Sequence, residues 1–397
     1  MKKIISFIIC VAICIGIIPI QVVAHVDHPI ADYDGLILEF DCYEAMESFK
    51  NENGGDYLGG NMLLIDGTYK DAVDYDMRPN IVSVTFNYIV EATAILDTYS
   101  EGRNTALDDP YLNSENLDFW RALATIADTL PEDSLHTVRV AVLDTGIDAT
   151  HQDLADRVVA GYDAIEDEII TEGVNSEQNA DSHGTKVAGL IGAQAMNATG
   201  ISGTGGDFPI ELVPVRVLDQ KGKGKIADIV RGIYWTIEND IDIMNMSFGA
   251  RMEYYPTALA NAIYDATNQN IFAIAAAGNE YGRTWEGYYP ACLEGCYPVM
   301  SGIVGMGADY TSAFSNTFPI GAIPGKDYTS INGSEVMTTA MNDQYTNFTG
   351  TSASCAMISG YSAAIFSLLG GRKNPDAAQV VRDIFAYAHV TNTNLIP

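Results

Sequence analysis

Residues 138–146 read VRVAVLDTG, an apolar run broken by one arginine that stops on an acid and a glycine turn. Short runs of this kind are strands buried on both faces, as in parallel sheets. Working outward, residues 210–217, 241–246 and 271–276 repeat the pattern. Helix-period segments lie between them. Ile226, Ile229, Val230, Ile233 and Ile237 share one helical face, and Leu259 and Ile263 suggest a second helix. Asn374-Pro375 is a helix start, followed by Val380, Val381, Ile384 and Phe385 on one face. This alternation predicts an α/β fold of three layers, a mostly parallel sheet flanked by helices. Ligands of such sheets sit at the carboxyl ends of the strands.

The residues at those ends carry the chemistry. Asp144 closes the first strand; by itself it could be an ordinary turn residue. His183 precedes a helix start rich in small residues, Gly184 to Gly189. Ser352 begins an apolar, small-residue helix, where exposed N–H groups and the helix dipole favour negative charge. Such a place suits a nucleophile whose attack creates an oxyanion, although Ser352 or Thr351 could equally just cap the helix. Ala276, Ala277 and Gly278 leave a hollow at another strand end, where Asn279 presents an amide donor. One Asp, one His, one amide and one Ser at the same edge of one sheet form a nucleophilic constellation.

Composition narrows the alternatives. The chain has 397 residues and a net charge of -31, which opposes binding to nucleic acid or anionic lipid. Lys2-Lys3, the apolar run 4–20 and Val22-Val23-Ala24 read as a signal peptide over residues 1–24. Export follows, to a secreted location with retention at the cell surface left open, and no stable membrane domain once the signal is removed. Residues 25–103 are acidic, with 16 Asp or Glu against 4 Lys or Arg, and form a candidate small domain. The polar stretch 96–110 separates it from the domain at 104–397. Cys292 and Cys296 sit four apart in a turn-rich stretch, as either a local disulfide or two thiols. No G-x-S-x-G esterase elbow and no H-E-x-x-H zinc motif surrounds the candidates.

The segments VAVLDTGID (140–148), HGTKVAG (183–189), AAAGN (275–279) and GTS (350–352) resemble the four signatures of the subtilisin-like serine peptidases, in that family's order. The resemblance covers about residues 108–397. It implies a serine endopeptidase acting on polypeptides, with Asp144, His183 and Ser352 as the triad. Asn279 and the Ser352 backbone N–H would form the oxyanion hole. It further implies a substrate cleft between Ser247-Phe248-Gly249 and Gly222-Lys223-Gly224, with a primary pocket at Ala276, Ala277 and Gly278. Leu218, Ile226, Ile229 and Phe248 fall where the family builds an apolar pocket further upstream. Glu280 would sit at the primary pocket's rim, so large apolar side chains are expected there and basic ones tolerated. Residues 25–103 would be a propeptide of α+β type, an intramolecular inhibitor and folding assistant removed by self-cleavage within about residues 94–107. No cofactor is needed for the chemistry. Asp153, with Asn197 in the loop 197–200, resembles a structural calcium site. One departure stands out: Ala353-Ser354-Cys355-Ala356-Met357 replaces the family's usual Met and Pro after the nucleophile. A catalytically dead peptide-binding relative would be expected to lack a triad residue, and none is missing.

Overall fold

The computed structural model describes residues 33–92, 123, 134–195, 197–280, 287–302, 315–316 and 328–391. The expected signal peptide and interdomain linker lie outside them.

The first described stretch is a small α+β unit. It comprises β1 (Tyr33–Phe40), α1 (Tyr43–Asn53), β2 (Asp56–Gly59), β3 (Met62–Ile65), α2 (Tyr69–Asp76) and β4 (Ile81–Ala92). β1 pairs antiparallel with both β3 and β4, and β2 with β3. β4 is the longest of these strands, from Ile81 to Ala92.

The larger part begins with β5 (Val138–Asp144), followed by β6 (Gly161–Asp163), β7 (Glu168–Ile170) and α3 (His183–Gly192). Next come β8 (Ile210–Arg216), β9 (Lys223–Lys225), α4 (Ile226–Glu238), β10 (Ile243–Met246), β11 (Phe248–Arg251) and α5 (Thr257–Asn268). The remainder is β12 (Phe272–Ala276), β13 (Tyr288–Tyr289), β14 (Tyr297–Gly302), β15 (Thr329–Asn332), the β16 (Val336–Ala340) and β17 (Gln344–Phe348) hairpin, α6 (Thr351–Leu369) and α7 (Ala377–Thr391). The main sheet has the order β15-β14-β12-β10-β5-β8-β6-β7. Its pairs from β15 through to β6 are parallel and only β6–β7 is antiparallel, as the strand–helix alternation predicts.

Alternation along β5 makes the three layers. Ala141 and Leu143 face a core shared with α4 and α5, while Val138, Val140 and Val142 face one shared with α3, α6 and α7. Among the described residues, α6 is the one helix long and apolar enough to cross a membrane, but it is buried in this second core.

The N-terminal unit lies on α4 and α5, and their starts explain why it fits. Neither helix has a side-chain cap of its own. The first N–H groups of a helix have no intrahelical acceptor. Asn87 Oδ1 accepts from Ala227 N at 2.7 Å, and Thr85 Oγ1 accepts from Ala258 N at 3.0 Å. Alternate residues of one face of β4 thus cap both helices. Beyond them, β4 enters the groove between β9 and β11. Ile89, Val90 and Glu91 pair with Lys225, Gly224 and Lys223 on one side. Glu91 and Ala92 pair with Gly249 and Phe248 on the other.

Candidate active site

Three elements bring three side chains together. Asp144 is the last residue of β5, His183 the first of α3 and Ser352 the second of α6. His183 Nδ1 lies 2.7 Å from Asp144 Oδ1, and Nε2 lies 3.2 Å from Ser352 Oγ. The ring packs edge-on against Phe348. All three residues are buried. Asp144 Oδ1 also accepts from Thr145 N at 2.8 Å, which fixes the carboxylate plane. Close approach of α3 to β5 depends on Gly184, because a methyl group there would strike the Gly146 carbonyl. The Ser352 hydroxyl lies 2.9 Å from the Ser247 carbonyl oxygen. It therefore has two acceptors within reach, and attack needs the one on His183.

The oxyanion side is built from α6 and the loop after β12. Thr351 N donates to Asn279 Oδ1 at 2.9 Å, and Gly278 N donates to Thr351 Oγ1 at 3.0 Å. With its oxygen so held, Asn279 is oriented with the amide nitrogen as its donor side. The Ser352 N–H sits in the first turn of α6, where backbone donors lack helical partners. Sequence reading missed the brace behind this loop. Asn316, fully buried, donates to the Ala277 carbonyl, accepts from Glu280 N, and its own N–H donates to the Gly278 carbonyl. A lone Asn 37 residues downstream has no sequence signal that could have linked it to this loop.

Glu177 was also missed. It is buried beside the triad and accepts from Asn179 N, Thr185 N and Thr185 Oγ1 at 2.9 to 3.0 Å. Burial pushes its carboxyl up to about 7, against the pull of these donors. On the far side of Ser352, Asn245 Nδ2 donates to Ser359 Oγ, and Ser247 Oγ to Asn245 Oδ1. The unusual run after the nucleophile forms an unbroken helix, with Ser354 Oγ donating to the Ile331 carbonyl. Cys355 is fully buried and burial pushes its thiol up to about 12, so it is no rival nucleophile. Cys292 and Cys296 are not bridged.

Several of the expected cleft residues border β4. Gly224 and Lys223 line one side of β4, Phe248 and Gly249 the other, and the Gly222 carbonyl accepts from Ala92 N at 2.8 Å. Val90 is buried in the same core as Leu218, Ile226, Ile229 and Phe248.

Two features bear on the expected pocket. The Glu280 carboxylate is paired with Arg251 Nε at 2.9 Å. The Tyr288 ring lies against Gly249 and Gly278.

The expected calcium residues come together, but their chemistry does not suit a cation. Asp153 Oδ1 accepts from Asn197 Nδ2, and Oδ2 accepts from Ile201 N and Tyr345 OH, all at 2.9 to 3.0 Å. Asn197 Oδ1 accepts from Thr199 N. The groups facing the carboxylate are donors, whereas calcium needs several oxygen acceptors. His151 is structural: its Nδ1 accepts from Asp153 N and its Nε2 lies 3.1 Å from the Gln344 carbonyl.

A buried Asp–His–Ser line in that chain order, on a parallel sheet flanked by helices, defines a nucleophilic serine hydrolase of the α/β class. The chain belongs to the subtilase family, whose profile matches residues 136–386. It is 31% identical over 248 residues to a thermophilic serine proteinase of Bacillus sp. (strain AK1), covering 61% of this chain and 55% of that protein. It is 34% identical over 234 residues to the major intracellular serine protease of Bacillus subtilis (strain 168), covering 58% of this chain and 68% of that one. Fervidolysin from Fervidobacterium pennivorans shares the fold, with a TM-score of 0.64 at 21% identity over 86% of this chain and 56% of its own. The matches thus span little more than half of the thermophilic proteinase and of fervidolysin.

Proposed function

We propose that this chain is a serine endopeptidase made as a self-processing zymogen. The observation that carries the reading is the continuous line from Asp144 Oδ1 through His183 to Ser352 Oγ. Ser352 Oγ attacks the scissile carbonyl as His183 Nε2 takes its proton. Asp144 holds the Nδ1–H and stabilises the imidazolium. Asn279 and the Ser352 N–H receive the oxyanion. His183 then protonates the leaving amine, and water, deprotonated by His183, releases the acyl group.

Peptide rather than simple ester is favoured by the groove, because β4 already lies in it as an added strand hydrogen-bonded on both sides. The same strand supports the role of the N-terminal unit as an inhibitory propeptide: while it occupies the groove, substrate cannot. The register of β4 supports a self-cleavage soon after its last residue. Glu91 pairs with Gly249 and Ala92 with Phe248, the neighbour of Ser247, whose carbonyl meets the Ser352 hydroxyl, and the next residue in sequence is Thr93. We therefore place the cut between residues 93 and 94, at the near end of the stretch expected from the sequence. Secretion rests on the basic and apolar character of residues 1–24. Relatives bear both kinds of name, a minor extracellular protease and a major intracellular one, both of Bacillus subtilis.

The test is labelling of purified protein with a fluorophosphonate probe beside Ser352→Ala, with the chain's new N-terminus read by sequencing. Labelling of the wild type only, on a chain beginning at Ala94, is the expected result. An unlabelled but correctly shortened wild-type chain would overturn the reading.

A further inference from the structure

Ala276 closes β12, Ala277 and Gly278 follow it with almost no side-chain volume, and Gly249 lies in β11. So little side-chain volume leaves a hollow unless another side chain fills it. Here the space is filled from within. A methyl group built on Gly249 would fall 2.5 Å from Tyr288 Cε1, and one on Gly278 would overlap the same ring at Cζ. Tyr288 is 2% exposed. Its backbone is pinned by the antiparallel pairing of Tyr288 with Arg251 and of Tyr289 with Ala250. The ring is therefore fixed beside Gly249 and Gly278 by both its backbone pairing and its packing.

We propose that Tyr288 is the specificity-determining residue of the primary pocket, filling it so that the enzyme cuts after small side chains such as Ala, Ser and Thr. The proposal rests on the peptidase reading above. The self-cleavage proposed above agrees with it, because it follows Thr93, a small residue. Apolar selectivity then moves upstream. Val90, the fourth residue before the cut, is fully buried in the core that holds Leu218, Ile226 and Phe248. A large side chain at the first position must displace a packed phenol or stay in solvent, and either way its burial no longer aids the transition state.

The experiment uses the matured product of the full chain, with active sites counted by the fluorophosphonate probe. Peptides carrying Val at the fourth position are varied at the first among Ala, Thr, Leu and Phe. The wild type is expected to favour Ala and Thr over Phe in kcat/KM by about 10- to 200-fold, the range a hydrophobic pocket can discriminate. Tyr288→Gly and Tyr288→Ala should open the pocket and reverse the order, with Ala peptides changed far less than Phe peptides. In the full chain, Thr93→Phe should slow removal of the N-terminal unit, and Tyr288→Gly should restore it. Equal or better cleavage after Phe by the wild type would overturn the proposal, as would an unchanged Phe-to-Ala ratio in folded Tyr288 variants. If neither variant folds, the wild-type order alone decides. Failure of the wild type to label with the probe would sink the peptidase reading itself and is read separately.

Discussion

Asn87 offers a direct test of how the N-terminal unit holds the larger domain. Its side chain is fully buried, donates to the Asp34 carbonyl at 2.7 Å and accepts from Ala227 N at 2.7 Å. Asn87→Ala removes the cap of α4, worth about 1 kcal/mol. It also leaves the Asp34 carbonyl without that donor, a further loss of about 1 kcal/mol. The sum, about 2 kcal/mol, should appear when the change is made in the uncleavable Ser352→Ala chain. Urea unfolding is the assay, with an unchanged slope and a lower midpoint. Thr85→Ala, which uncaps α5 instead, should cost about 1 kcal/mol, and the two losses should nearly add because they act on separate helices. Amide exchange at Ala227 should quicken in the Asn87 variant and not in the Thr85 variant. A loss below about 0.5 kcal/mol for Asn87→Ala, within the ordinary range of surface changes, would refute the trans-capping argument.

Other expectations follow from the site. Asp144→Asn should lower kcat by about 10⁴-fold while leaving the fold intact, and loss of the Asn279 amide should lower it by about 10² to 10³-fold, both read by active-site-titrated kinetics. Glu177 is a carboxyl raised to about 7 by burial, from 4.5. A raised carboxyl stabilises the folded state fully below its unfolded value, and that stability is lost as pH rises through the folded value. Melting between pH 4.5 and 7 should therefore show a loss of at most about 1.4 kcal/mol per pH unit from this group, absent in Glu177→Gln. Finally, a chelator should leave the melting temperature unchanged at the Asp153 loop, while Tyr345→Phe, which strips a donor from Asp153, should cost about 1–3 kcal/mol. Marked loss of stability on chelation, recovered with calcium, would show that the donors around Asp153 had been misread.

Much of the architecture is legible locally. Buried parallel strands announce themselves as unbroken apolar runs, which is why residues 138–143 and 271–276 could be read directly, and the helix at 226–238 follows from its isoleucine spacing. The groups at strand ends and helix starts, Asp144, His183, Asn279 and Ser352, are legible because each sits beside small residues that a close helix–sheet approach requires. Other features were not. Asn316, Glu177 and Tyr345 act through partners far away in sequence, and isolated polar residues carry no period or motif. The pocket is legible only in part for the opposite reason: Ala276, Ala277 and Gly278 state how little side-chain volume a strand end carries, but not what packs beside it.

The sequence by itself determined the alternating layers and the chemical identity of the reacting groups, because periodicity and residue type are local properties of the chain. Only the tertiary structure decided that β4 lies between β9 and β11, that Thr85 and Asn87 cap helices of another unit, and that the Tyr288 ring lies against Gly249 and Gly278. Those are contacts between segments that the sequence keeps apart, fixed by shape and hydrogen-bond satisfaction once the chain has closed on itself.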